Sequence, residues 1–145
     1  MCFTYKEQLV KILIVDDEPT ITNYFSQLAE IRGFEEIDSV GSGEEAMTQV
    51  IRKNYDIITL DIQMPGASGL EIIAMLRNMC SHAIIAVISG FIPEEISSDV
   101  AGCVDVMIPK PVNVETFNKL LSNAEQIHKA MNEIRSLGVV PSTVR

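Results

Sequence analysis

The sequence predicts an α/β fold: a five-stranded parallel sheet with helices on both faces, a (βα)5 three-layer sandwich. Three observations lead there. Five short apolar runs alternate with segments whose apolar residues recur every three or four positions. The strongest runs are apolar on consecutive rather than alternate residues, as strands buried on both faces require. The 145 residues, 47% of them hydrophobic, suit one core of this size better than two small ones.

The first run, residues 11–15, ends in Asp16, Asp17, Glu18 and Pro19 and reads as a buried strand delivering carboxylates to its C-terminal edge. Ile21, Tyr24, Phe25, Leu28 and Ile31 then mark a helix from Pro19 to about Ile31, ended by Gly33. Residues 34–40 form a weaker strand, and Ser42 with Glu45 makes a capping-box pattern ahead of a helix reaching about Lys53. Residues 56–60 are the third strand, closed by Asp61; after Met64, Pro65 and Gly66 a helix is expected from Ser68 to about Met79. Residues 83–88 form the fourth strand, ending at Ser89 and Gly90, and Pro93 with Glu94 and Glu95 can begin a short helix. Residues 104–108 form the fifth strand, ending before Pro109, Lys110 and Pro111, and a last helix starts near Asn113 or Val114.

Crossover connections place all these strand ends on one edge. Asp16, Asp17, Asp61, Ser89 and Lys110 therefore gather where open parallel sheets bind ligands. Paired Asp16 and Asp17 with Asp61 offer hard oxygen ligands suited to Mg2+, a cation that keeps waters and also reaches phosphate oxygens. Close carboxylates need such a cation, or Lys110, to offset their repulsion. Lys110 supplies a point charge for a phosphate, and the Ser89 hydroxyl can donate to one of its oxygens. Asp61 is placed to attack phosphorus itself and form an acyl phosphate. Each piece also has a plainer use: Asp16 to Pro19 as a helix entrance, Asp61 and Ser89 as turn residues, Lys110 as a solvated lysine. Their joint spacing favours the chemical reading.

The set of Ile14 to Glu18, Asp61 to Pro65 with Gly69, Ser89-Gly90 and Lys110-Pro111 resembles the receiver domains of two-component response regulators. The resemblance covers almost all of residues 9–130, which it assigns as a receiver domain, leaving 131–145 as a C-terminal helix extension or linker. It implies Asp61 as phosphoacceptor, Asp17 as a direct Mg2+ ligand, Asp16 as a ligand through water, and the backbone carbonyl of Gln63 completing the metal site. Ser89 and Lys110 correspond to the residues that hold the phosphoryl group, and the Lys110–Pro111 peptide is expected to be cis. The implied phosphodonor is a histidine kinase or phosphotransfer protein. The implied output is a downstream protein target or a covalently linked output domain, with a homodimer possible through the last helix. Phosphoacceptance and slow self-hydrolysis would both follow, in the cytoplasm.

The chain departs from the family pattern at two neighbouring places. Met107 stands where an aromatic switch residue is common, three positions before the lysine, and a thioether repacks without a ring's shape. Pro109 removes an amide donor, so the fifth strand is expected to end early or bulge. Gln63 and Phe91, two residues beyond Asp61 and Ser89, fall where family members vary the access of water to the acyl phosphate. Phe91 equally suits a local apolar lid or a partner contact. His82 and His128 read as solvent-facing or locally hydrogen-bonded. Leu120, Ala124, Ile127, Met131 and Ile134 recur at four and three, compatible with a short coiled-coil seam. The alternative is packing on the sheet to Ile127 with fraying from Glu133.

Composition removes other classes. A net charge of −9 argues against direct nucleic-acid binding, and no apolar run approaches the roughly 18 residues of a membrane span, so no membrane insertion is expected. Cys2, Cys80 and Cys103 form neither a disulfide framework nor a metal-ligand pattern. Two rivals to the signalling switch remain: a pseudo-receiver scaffold that does not cycle phosphate, and a Mg2+-dependent phosphohydrolase of small molecules, for which the chain has no evident cap domain.

Overall fold

The computed structural model describes residues 9–65 and 69–141. Ten elements alternate along them: β1 (Lys11–Val15), α1 (Pro19–Ile31), β2 (Glu36–Val40), α2 (Gly43–Arg52), β3 (Ile57–Leu60), α3 (Gly69–Met79), β4 (Ile84–Ser89), α4 (Ser98–Ala101), β5 (Val106–Pro109) and α5 (Val114–Arg135). The strands pair in parallel in the order β2-β1-β3-β4-β5. The chain thus starts near the middle, goes to one edge, returns, and finishes at the other. Connections leaving β1 and β3 diverge, which opens a crevice beyond their carboxyl ends.

Consecutive apolar residues in the central strands feed two cores. Leu13, Val15, Ile58, Leu60, Ile85 and Val87 face α2 and α3. Ile12, Ile14, Ile57 and Ile88 face α1 and α5, where Phe25 and Phe117 stack with ring centroids 4.4 Å apart. Burial on both faces explains why β1 reads as an unbroken apolar run and β3 as one interrupted only by the buried Thr59, while β2, an edge strand, reads weakly.

Local signals explain most boundaries. Gly33, at φ +96°, ends α1, with Phe34 N–H donating to the Ala29 carbonyl, the αL arrangement a glycine adopts without a Cβ penalty. Ser42 caps α2 by accepting from Glu45 N–H at 3.1 Å, while the Glu45 carboxylate accepts from Gly41 N–H at 3.0 Å, one residue earlier than the usual reciprocal bond. Asn113 caps α5 through Thr116 N–H at 2.7 Å. The predicted turn glycine Gly66 and helix start Ser68 lie outside the described residues, as does Cys2; neither Cys80 nor Cys103 forms a disulfide.

Two expectations are corrected. The helix after β4 starts at Ser98, capped by Ser97, and not at Pro93, because the Ser97 hydroxyl supplies the cap that the Pro93 to Glu95 stretch lacks. β5 neither bulges nor stops before Pro109: Pro109 pairs with Ser89, and Lys110 N–H donates to the Ser89 carbonyl at 2.9 Å. Alternate amides of a strand face opposite sides, so the missing donor of Pro109 falls on the open sheet edge, where it costs no ladder bond. His128, read as either solvent-facing or locally hydrogen-bonded, is buried, with Nδ1 3.3 Å from Asp56 Oδ1.

α5 runs unbroken through residue 130. Its buried stripe is Phe117, Leu121, Ala124, His128 and Asn132, so Ala124 faces the sheet while Ile127 and Ile134 are exposed. At 22 residues the helix is about 33 Å long. The strands it covers, of four to six residues, span only about 13–20 Å. The lower part therefore passes the sheet, and its buried positions turn from apolar to polar there. No helix among the described residues is long and apolar enough to cross a membrane.

Candidate functional site

β1, β3, β4 and β5 each deliver one polar group to the crevice, because a buried apolar strand can expose functional chemistry only where it ends. Asp16 and Asp61 follow the last residues of β1 and β3, and Asp61 N–H donates to the Val15 carbonyl at 3.0 Å, which fixes the two carboxylates in register. Ser89 ends β4, and Lys110 follows β5 through a cis Lys110–Pro111 bond.

The side chains converge. Lys110 Nζ lies 2.7 Å from Asp16 Oδ2 and 3.0 Å from Asp61 Oδ2. Ser89 Oγ donates to Asp61 Oδ1 at 2.9 Å, and Gln63 N–H donates to the same oxygen at 2.8 Å. Asp16 Oδ1 accepts from Glu18 N–H at 2.9 Å. Asp16 and Asp61 are only 3% and 4% exposed, and Ser89 is fully buried. Asp17 and Glu18 are exposed at the rim.

Electrostatics follow from this packing. Burial alone would lower the Lys110 ammonium, but hydrogen bonds to Asp16 and Asp61 and their negative charge outweigh it and hold the group above its ordinary 10.5. One lysine faces two buried carboxylates, with Asp17 and Glu18 adding negative charge nearby. Carboxylate oxygens of Asp16, Asp17 and Glu18 lie within 4.8 Å of one another. Hard oxygen donors with excess negative charge fit a small divalent cation. Lys110 links Asp61 to Asp16, while the acidic cluster itself comprises Asp16, Asp17 and Glu18 and does not include Asp61. Glu18 is not among the candidate ligands expected from the sequence; as the third acid in an unbroken run, its position was the available signal.

Two contacts frame the mouth. A Cβ on Gly90 would lie 3.2 Å from Gln63 Oε1, so the side chain of Gln63 rests over Gly90. Phe91 N–H donates to Ser89 Oγ at 3.4 Å, and the residue is 58% exposed. Beside Lys110, an apolar hollow of about 370 Å³ is lined by Ile21, Tyr24, Phe25 and Val112. Met107 is partly buried and packs against the core on the α3 side. His82 is exposed, and neither histidine is near the acidic site; both border a cavity at the opposite end of the sheet with Asp56.

Known proteins share this architecture. Regulator TrrA of Thermotoga maritima, solved with Mg2+ and BeF, is 31% identical with a TM-score of 0.70, matching 80% of this chain and 99% of that one. A complex of histidine kinase ThkA with TrrA matches at 30% identity and a TM-score of 0.69, covering 80% of this chain and 98% of that one. The transcriptional regulatory protein ResD of Bacillus subtilis is 37% identical over 75 residues, 52% of this chain and 31% of that protein. This chain spans roughly a third to a half of such curated relatives, between 31% and 53% of their length. With the response regulator receiver domain model matching residues 12–122, over the same strands that carry Asp16, Asp61, Ser89 and Lys110, the chain belongs to the response regulator receiver family.

Proposed function

We propose that this domain accepts a phosphoryl group on Asp61 and uses the modified state to alter partner binding. The observation that carries the reading is the convergence on Asp61 of Ser89 Oγ at 2.9 Å and Lys110 Nζ at 3.0 Å, beside the Asp16–Asp17 pair. A carboxylate oxygen of Asp61 forms the new bond to phosphorus while the donor's bond to phosphorus breaks. For a phosphohistidine donor, the bonding pair stays on the imidazole nitrogen. Lys110 and the Ser89 hydroxyl then hold phosphoryl oxygens, and attack of water on phosphorus returns the Asp61 carboxylate and inorganic phosphate. Mg2+, held by Asp16, Asp17, Asp61 and the Gln63 carbonyl, would neutralise charge on the transferring group. Phosphorylation adds about −1.5 to −2 charge in place of one buried carboxylate.

The donor in this reading is a histidine kinase or phosphotransfer protein, as TrrA's complex with ThkA suggests by similarity. The output is a downstream protein or a linked output domain, consistent with the greater length of the curated relatives, and the setting is the cytoplasm. The test is intact mass after incubation with acetyl phosphate. The expected gain of one labile phosphoryl group requires Mg2+ and disappears in Asp61→Asn. A folded, Mg2+-binding protein that gains nothing from acetyl phosphate or from a phosphorylated kinase would favour the scaffold reading.

A further inference from the structure

We propose that the outer face of α2 and α3 is a self-association surface, and that its occupant is the same face of a second copy of this chain. Side-chain contacts fix which way each helix is turned. Gln49 and Lys53 of α2 reach Tyr55 and Asp38 on the β2 side. Arg77 of α3 reaches Cys103 and Asp105 on the β5 side. Between the helices, Gly43 lets α2 seat against Ile72. Met47 and Ile51, four apart on α2, therefore line the seam from one side, and Met75 and Met79, four apart on α3, line it from the other. Met47 is partly buried against the core, but Ile51 is 63%, Met75 50% and Met79 37% exposed. These side chains make an apolar strip along two neighbouring helices of a chain whose net charge is −9.

The charges at the two ends of the strip choose its occupant. Glu44 and Arg52 each stand four residues from Thr48, one toward each end of α2, and neither has an ion-pair partner among the described residues. Glu71 adds a second acid at the Glu44 end. Thr48 donates its hydroxyl to the Glu44 carbonyl at 3.1 Å, so its donor needs no water when the strip is covered. A two-fold axis beside Thr48 reverses the helix direction. It sets Glu44 of each copy opposite Arg52 of the other and lays the methionines and Ile51 against their counterparts. A basic partner helix would suit Glu44 and Glu71 but set a cation against Arg52, and an acidic one would do the reverse. The fitting surface carries both signs in the opposite order, as this face does when turned about. Methionine's flexible thioether lets such a contact pack without a preformed pocket. Helices of 10 and 11 residues are only about 15–17 Å long. The face therefore falls short of the roughly 800 Å² per partner of a standard interface, and the dimer is weak.

Sedimentation equilibrium of the full chain, from micromolar to near-millimolar concentration, tests this with chelator and no phosphodonor present. A monomer–dimer equilibrium is expected. Arg52→Glu alone and Glu44→Arg alone each put like charges at both contacts and should weaken association roughly tenfold. An equimolar mixture of the two variants should dimerise as tightly as the unmodified chain, because every contact in the mixed pair again joins opposite charges. The double variant Glu44→Arg with Arg52→Glu should recover in the same way, and recovery shows that the variants are folded. Met75→Glu should abolish association, whereas Ile127→Glu on α5 should leave it unchanged. A chain that stays monomeric throughout overturns the proposal and leaves the face to another protein. Association that survives Met75→Glu, or that is lost in Ile127→Glu, overturns it by placing the contact elsewhere. Single variants that fail to recover both on mixing and in the double variant overturn the two-fold pairing.

Discussion

Lys110 joins two nearly buried carboxylates that no other side-chain cation among the described residues contacts, so its charge decides the stability of the site. In Lys110→Met, with chelator present, Asp16 and Asp61 lose that cation, and the expected cost is roughly 3 kcal/mol at neutral pH. The folded lysine value lies above the unfolded 10.5. Its contribution is therefore complete below 10.5 and is lost as pH climbs through the raised folded value. Urea denaturation of both proteins should show a gap that is constant at neutral pH and closes in strong alkali; a gap that widens there contradicts the assignment. A second residue-scale case has the opposite sign. Burial would raise the Asp38 carboxyl, but hydrogen bonds from Tyr55 at 2.6 Å and Lys53 at 2.9 Å, with the lysine's charge, hold it below its ordinary 3.8. That stabilisation is present above 3.8 and fades as pH falls through the depressed value. Tyr55→Phe should cost about 1–2 kcal/mol at neutral pH, and the deficit measured by denaturation should shrink in acid.

Glycines at helix starts decide how closely α2 and α3 seat, and the two differ in what they approach. A Cβ on Gly69 would lie 2.5 Å from Ile62 Cα, a backbone atom just after the Asp61 carboxylate. A Cβ on Gly43 would meet the Cδ1 of Ile72, the far end of a flexible side chain. Gly69→Ala should therefore cost about 2–3 kcal/mol and also weaken phosphoryl uptake, because the 61–63 backbone must shift. Gly43→Ala should cost less and leave uptake intact. Thermal melts with acetyl phosphate labelling separate the two, and equal effects on uptake would contradict the account. The same comparison shows what was legible in the sequence. Central strands announced themselves because burial on both faces leaves almost only apolar residues, Thr59 in β3 being the exception, and the site followed because strands end there. The tie made by Arg77 was not legible: its guanidinium donates to the carbonyls of Cys103 and Ala83 and pairs with Asp105, joining α3 to the starts of β4 and β5. Such a bridge depends on distant segments, and at a helix end Arg77 reads only as a favourable cation. The start of α4 was misplaced for a related reason, since Pro93 and two acids imitate a helix entrance while the Ser97 cap carries the bond.

At the scale of the whole molecule, the sheet sets where the folded unit ends, and α5 outruns it. The receiver family model matches to residue 122 and the boundary expected from the sequence was 130, but the helix passes both points without a break and continues to bury Asn132. Its exposed stripe, including Ile127 and Ile134, was predicted as a seam; Ala124, counted in the same seam, instead packs in the core. Periodicity alone could not divide these residues, because two adjacent stripes of one helix share the same spacing and only the sheet's edge decides which is covered. Below that edge His128 faces Asp56, and Arg135 lines the same cavity of about 190 Å³. Asp56 in turn accepts from Lys11 N–H at 2.8 Å and its carbonyl accepts from Ile84 N–H at 2.9 Å, so this end of α5 closes onto the starts of β1 and β4. Two boundaries therefore make different predictions. A chain ending at Arg135 retains these contacts and should melt with the full chain. A chain ending at Ala130 loses Asn132 and Arg135, and should still unfold in one step but be less stable by about 1–2 kcal/mol. Both should take up a phosphoryl group equally, since Asp61 lies at the opposite end of the sheet. Equal stability of the two truncations would place the boundary at 130, and a loss of labelling in the shorter chain would show that the lower end of α5 is coupled to the site.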